Sequence, residues 1–297
     1  MSAANSWLAR SCDLVTRRSG FGVVIPVTVV AVTLSALYGP LIVLAVFSFN
    51  DSISIALPLA GFTTKWYAEA FQNELVRESL LNSLLVASIT TPISLILGTL
   101  GAIGITRFRF RSRTGVTFLI SLPLLVPWLL TAMAALLYFK RFDVSLGLWT
   151  VGIMHVIVGF PLVVVILAAQ LHRFDLTLEE AAQDLGAPRR TVFRLIVLPH
   201  IAPALGAAAI LAFSVSFNNF VITFFNIGFE LTFPIWVFSA LRHAQNLPII
   251  NAVSTLVGLI QVALLYLAWQ LLKLRRDPTA SEALATIGVP VPEVEVR

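Results

Sequence analysis

Read from the N-terminus, the chain alternates long apolar runs with short polar interruptions. A helix needs roughly 20 apolar residues to cross the hydrocarbon core of a bilayer. Six runs reach that length, at about 21–49, 79–105, 115–138, 148–171, 201–225 and 249–272. Charge or turn residues close each one: Phe49-Asn50-Asp51, Arg107, Lys140-Arg141, His172-Arg173, Asn226 and Lys273. The pattern predicts an all-α polytopic membrane protein with six transmembrane helices. The first run starts behind Arg10, Arg17 and Arg18. It is too long for a signal-peptide core and lacks a small-residue cleavage pattern, so it reads as a retained span. The expected organisation is an N-terminal segment 1–20, a six-span domain 21–272 containing a long loop 172–200, and a tail 273–297. The tail is polar, carries Pro278, Pro290 and Pro292, and is expected to be disordered.

Composition agrees with the pattern. Only 12% of residues are charged, half of what a soluble domain carries, which excludes the soluble domains that the length alone would permit. The net charge of +5 is not gathered into a nucleic-acid-binding face. The basic residues sit at the ends of apolar runs, where they report topology. Fifteen of the 20 Lys and Arg fall on one side: the N-terminal segment, the 106–114 and 172–200 loops and the tail. The other five are Lys65, Arg77, Lys140, Arg141 and Arg242. The positive-inside rule therefore places both termini and both basic loops in the cytoplasm. The lone cysteine, Cys12, has no partner for a disulfide or metal cluster. On the outer side, residues 50–78 include Phe62, Trp66, Tyr67 and Phe71. They suit either an interfacial helix in the aromatic belt or a docking surface for an extracytoplasmic partner. Pro92 and Pro161 are candidate kink sites, but they do not correspond in the two halves as an inverted-repeat transporter requires.

The loop 172–200 is too organised to be a simple connection. Thr177 with Glu180 three residues later matches a capping box, and Glu179 and Glu180 suit the positive end of a helix dipole. Gly186 suits the left-handed stop, and Pro188 the first turn of a second helix over about 188–197. Leu178, Ala181, Ala182 and Leu185 recur at i, i+3, i+4 and i+7, an apolar stripe, with Glu179, Glu180, Gln183 and Asp184 on the other side. The second helix is expected to end at Leu198-Pro199, where the chain bends into the fifth span. Pattern alone leaves two readings open: a helical hairpin lying on the membrane, or a docking element for a cytoplasmic partner.

Glu180-Ala181-Ala182, three residues, Gly186, nine residues, Ile196, one residue and Leu198-Pro199 together resemble the EAA loop of bacterial ABC importer permeases. The loop falls between the fourth and fifth of the six runs, as it does in that family. The resemblance implies the type I permease fold and assigns ATPase coupling to Glu180, Ala181, Ala182, Gly186, Ile196, Leu198 and Pro199. It also implies the partners: two copies of an ATPase subunit, a second homologous permease and a periplasmic solute-binding protein, within the lipid of the bacterial inner membrane.

Phe47-Ser48-Phe49-Asn50, Asn82-Ser83, Asp184-Leu185-Gly186-Ala187 and the run Ser216 to Phe225 with Pro234, Pro248 and Asn251-Ala252 are similar to the spermidine/putrescine branch. In that branch the residue at the position of Asn219 is often acidic, where this chain has a neutral amide. Related permeases of the same branch serve opines, other amines or small organic solutes, and the runner-up reading is an importer of another solute class, such as an opine, iron complex or sulfate-like anion. Polar residues inside the runs are Asn82, Ser83, Thr90, Thr91, His155, Ser214, Ser216, Asn218, Asn219, Thr223, Asn251, Ser254, Thr255 and Gln261. Such groups must be paired or face water. Asn218 and Asn219 are the candidate translocation-path residues, and His155 reads as a packed or interfacial histidine.

The chain has no Walker A pattern, no Ser–His–Asp arrangement and no metal-ligand spacing. It is expected to be no enzyme, with no cofactor, and to borrow its ATPase. An ion-gradient-driven secondary transporter would need an ionisable residue deep in a span, and none of the six runs has a central Asp, Glu, Lys or Arg.

Overall fold

The computed structural model describes residues 19–53, 57–108, 110–243 and 247–274. Arg10, Cys12, Arg17, Arg18, Arg109 and the tail beyond residue 274 lie outside the described residues. The helices are α1 Ser19–Phe47, α2 Lys65–Gln72, α3 Glu74–Arg107, α4 Arg113–Leu125, α5 Trp128–Arg141 and α6 Leu148–His172. They continue as α7 Thr177–Asp184, α8 Arg189–Val192, a π-helical turn Phe193–Val197, α9 Leu198–Phe217, α10 Val221–Asn226, α11 Phe233–Arg242 and α12 Leu247–Leu274. Five helical stretches are long and apolar enough to cross a membrane, or six if α4 and α5 count as one bent span.

Three spans differ from the sequence expectation. The second begins at Glu74 rather than near 79, because Asn73 caps it by accepting the Val76 N–H. The third is broken: α4 and α5 meet at 98°. Val126 is extended there (ψ 131°) ahead of Pro127, as the residue before a proline prefers. Pro92 and Pro161, by contrast, lie within α3 and α6 without interrupting either helix. The fifth span does not reach 225 as one helix. It stops at Phe217 and resumes as α10 after a break at residues 218–220.

The described residues fall into two compact units, one from within 1–69 and 246–256, the other from within 70–245 and 257–297. In the first unit the segment after α1 folds back on itself. Thr63 N–H donates to the Phe49 carbonyl, Ala60 N–H to Asn50 Oδ1, and Trp66 Nε1 to the Asn50 carbonyl at 2.8 Å. Phe49 stacks on Phe62 with centroids 5.1 Å apart, and Lys65 pairs with Asp51. Trp66 is therefore buried, not displayed as an interfacial tryptophan.

In the second unit α3 and α6 lie in close contact because small residues face each other. A β-carbon at Gly98 would fall 2.5 Å from Val163 Cβ, and one at Gly159 would fall 2.9 Å from Ser94 Oγ. Without a hydrophobic drive between helices in lipid, such close backbone approach is what holds spans together. Ala102, Ile105, Val163, Leu167, Leu171, Val197, Ile201 and Ala208 continue this core onto α9. A second cluster joins Ala132, Ala135 and Phe139 of α5 to Met154, Val158 and Ile222.

Candidate functional site

Two regions of the second unit carry the sequence-identified residues. At the basic end of the spans, α7 stops as expected. Gly186 is left-handed (φ 84°), its N–H donates to the Gln183 carbonyl, and the Ala187 N–H donates to the Ala182 carbonyl. These are the two bonds of a Schellman stop. The start of α7 differs from the expectation. Thr177 is the first helical residue and forms no capping box with Glu180. Its N–H donates instead to Asp175 Oδ1 at 3.0 Å. That bond, and after it one from the Thr177 hydroxyl, holds the Asp175 carboxyl below the usual carboxylate range.

The amphipathic helix α7 is turned with its apolar face outward. Leu178 is 53% and Leu185 89% exposed, Ala181 is exposed and Ala182 half-buried. Glu179, Glu180 and Gln183, with Arg107, Arg189 and Phe193, line an open cavity of about 500 Å3 beside the span ends, and of the polar side only Glu179 is half-buried, while Glu180, Gln183 and Asp184 stay exposed. Glu179 meets Arg107, the last residue of α3, at 2.5 Å, with side chains only 20% and 16% exposed. The two facing atoms are sealed from solvent and meet as an ion pair without hydrogen-bond alignment. The Arg107 guanidinium lies over the Phe174 ring at 5.2 Å, Phe174 meets His200 edge-on at 4.8 Å, and His200 Nε2 is 3.1 Å from Gln170 Nε2.

Beyond the turn, the chain does not bend at Leu198-Pro199. Pro188 precedes α8, and the helical path runs on through the π-helical turn into α9, so Arg189–Phe217 forms one 29-residue stretch. The reason lies in Pro199, whose ring would clash with the carbonyl four residues back in a regular helix. The wider π turn, in which Leu198 N–H reaches the Phe193 carbonyl, relieves that clash. Glu180, Gly186 and Pro199 are exposed; Ile196 and Leu198 are half-buried.

The second region surrounds the break after α9. His155 Nδ1 is 2.9 Å from Ser216 Oγ, His155 Nε2 is 3.1 Å from Thr223 Oγ1, and Ser216 Oγ is 3.0 Å from Thr90 Oγ1. One buried imidazole thus joins α3, α6, α9 and α10, a packed histidine as its setting suggested. The structure separates Asn218 from Asn219. Asn219 is buried; its Oδ1 accepts the Ile222 N–H and its carbonyl accepts the Thr223 hydroxyl. Asn218 is exposed, and its amide pairs reciprocally with Gln261 of α12 at 3.2 and 3.4 Å. Asn82 Nδ2 donates to the Leu231 carbonyl, and Ser83 Oγ accepts the Phe233 N–H. Both therefore anchor the segment that leads into α11. Gln261 and Asp175 are the residues that sequence reasoning undervalued. Asp175, two positions before the helix, is a recognisable turn-forming aspartate; Gln261 has no local signal.

Residues 91–276 match the family described as the binding-protein-dependent transport system inner membrane component. The chain is 35% identical over 245 residues to the putrescine transport system permease protein PotI of Escherichia coli K12, covering 80% of this chain and 86% of that protein. It is 32% identical to the spermidine/putrescine transport system permease protein PotC of the same organism, covering 82% and 90%. Among solved structures, a bacterial ABC transporter involved in the import of the acidic polysaccharide alginate superposes with a TM-score of 0.63. It has 18% identity and covers 84% of this chain and 95% of that one. A bacterial alginate ABC transporter in complex with alginate pentasaccharide-bound periplasmic protein gives 0.65 at 14% identity, covering 85% and 93%. These structures share the fold.

Proposed function

The chain belongs to the family of binding-protein-dependent transport system inner membrane components, and from that premise we propose that this multi-pass ABC importer permease subunit carries a polyamine of the putrescine class into the cell. The cargo rests on the likeness to the putrescine and spermidine/putrescine permeases. The bacterial inner membrane is its location, with the basic end, the termini and the loop 172–200 in the cytoplasm. A second homologous permease completes the pathway, a periplasmic binding protein delivers the solute, and two ATPase subunits dock below.

One observation carries the coupling assignment: α7 is tied to its own spans through Glu179 and presents Leu178, Ala181 and Leu185 outward, with Glu180 exposed beside them. An apolar face turned away from the chain's own core is a surface for another protein. Glu180, Ala181, Ala182 and Gly186 form the contact, and Ile196, Leu198 and Pro199 carry it into α9. Asn218 faces the path, while Asn219 holds the break from behind.

The test is uptake of labelled putrescine by cells expressing the complete transporter, paired with co-purification of the ATPase on the permease. Wild type should import putrescine and retain the ATPase, and Glu180→Lys should lose both while still inserting. A Glu180→Lys chain that keeps its ATPase would remove the coupling assignment. A wild-type complex that retains its ATPase but imports no putrescine would remove the cargo.

A further inference from the structure

We propose that Arg107 and Glu179 are positioning residues that lock the coupling loop to the second span, and that the adjacent carboxylates Glu179 and Glu180 have separate tasks. This rests on the coupling reading above and goes beyond it, because neither Arg107 nor Glu179 belongs to the motif that suggested coupling.

The eight-residue helix α7 has no buried residue of its own, so packing alone holds it weakly. Among the described residues, its one ion pair to a span is Glu179 with Arg107. Arg107 ends α3, where the negative end of the helix dipole favours a cation. Its guanidinium also covers Phe174, which leans on His200, which in turn reaches Gln170. The pair is therefore the first link of a chain from α7 to α3, then to α9 and α6. Glu180, one residue on, lies at the rim of the same cavity but stays exposed and makes no ion pair to a span among the described residues, so on the coupling reading it is the carboxylate left for the ATPase. Separating a sealed ion pair leaves an uncompensated charge, so α7 and the end of α3 move as one piece. Movement of α7 then reaches the second span directly, in parallel with the path through α9.

The experiment uses the full complex, with its own ATPase and binding protein, in proteoliposomes with labelled putrescine as the probe. Two ratios are read: putrescine imported per ATP hydrolysed, and hydrolysis with binding protein over hydrolysis without it. Arg107→Gln and Glu179→Gln should each keep the ATPase bound and lower the import ratio about tenfold, with the stimulation ratio falling toward one. The double variant should be no worse than either single change, as expected of two residues acting as a unit. Arg107→Lys, which keeps the charge, should retain at least half of the wild-type ratio. Single variants that stay within twofold of wild type would overturn the inference, as would additive losses in the double variant. Loss of the ATPase from Glu179→Gln would overturn it too, since Glu179 would then belong to the docking contact. If the wild-type chain itself fails to bind the ATPase, the coupling reading falls instead. If it binds the ATPase but imports no putrescine, the stimulation ratio still decides this inference.

Discussion

The hydroxyl of Thr223 gives its proton to the Asn219 carbonyl at 2.6 Å, so toward His155 Nε2, 3.1 Å away, it can act only as acceptor. His155 therefore carries its proton on Nε2, and in the neutral imidazole Nδ1 accepts from Ser216, whose oxygen accepts from Thr90. Every hydroxyl in the cluster has one direction. Replacing His155 with Phe removes one partner each from Ser216 and Thr223, leaving them their bonds to Thr90 and the Asn219 carbonyl. Such interhelical bonds are worth about 1–2 kcal/mol at most in membranes, so His155→Phe should lower the thermal midpoint of the purified complex measurably. His155→Gln, which restores a donor toward Thr223, should recover part of the loss.

The contact between α3 and α6 predicts an asymmetric rescue. A methyl group at position 98 meets Val163 Cβ itself at 2.5 Å, so Gly98→Ala should destabilise the helix pair by about 1–3 kcal/mol, as overpacking does. Val163→Ala removes Cγ1, which is equally close, but keeps Cβ, and should relieve only part of the clash. Val163→Gly removes both atoms, and the Gly98→Ala/Val163→Gly chain should recover more of the Gly98→Ala loss, short of the wild-type midpoint because the buried Val163 side chain is gone. Equal rescue by the two would place the clash elsewhere.

Asp175 predicts a pH effect whose sign follows from its lowered pKa. Its carboxylate caps α7 in the folded loop, so its contribution is present above the usual carboxylate range and lost as pH falls through the lowered folded value. Hydrogen exchange over the peptide containing residues 175–185 should be faster in Asp175→Ala than in wild type at neutral pH. The difference should vanish in acid. An unchanged ratio across that range would show that the cap does not hold the helix.

Asn218 and Asn219 should fail in different ways. Asn218→Leu removes an exposed amide paired with Gln261 and should cut putrescine uptake at least tenfold while the complex still assembles. Asn219→Ala removes a cap of α10, worth about 1 kcal/mol, and should lower the amount and stability of the complex instead. Asn219→Asp keeps an acceptor and should retain the fold. Matching defects in Asn218→Leu and Asn219→Ala would deny the division of roles.

Much of the fold was legible because each span is written as length and apolarity, and each end as charge. The bend at Pro127 was not, because every proline deletes the same hydrogen bond. Pro26 and Pro40 in α1, Pro123 in α4 and Pro203 in α9, like Pro92 and Pro161, all stay within continuous helices, so nothing local marks which proline ends one. Periodicity likewise found the apolar stripe of α7 but could not state which way it faces. That depended on Arg107, some 70 positions earlier in the sequence. Gly186 was readable because only its backbone requirement mattered. Thr177 was misread because the serine/threonine-to-glutamate spacing also fits a helix that an earlier aspartate caps.

The helical path through the π turn has a mechanical consequence. At 1.5 Å per residue, the 29 residues from Arg189 to Phe217 make a rod roughly 43 Å long. Tilting such a rod by about 10° at the end near α7 sweeps its far tip, beside Asn218, through roughly 7 Å, comparable with the length of a small diamine. Under the proposed coupling this stretch would act as a lever: a small angle at one face of the membrane becomes a doorway's width near the other.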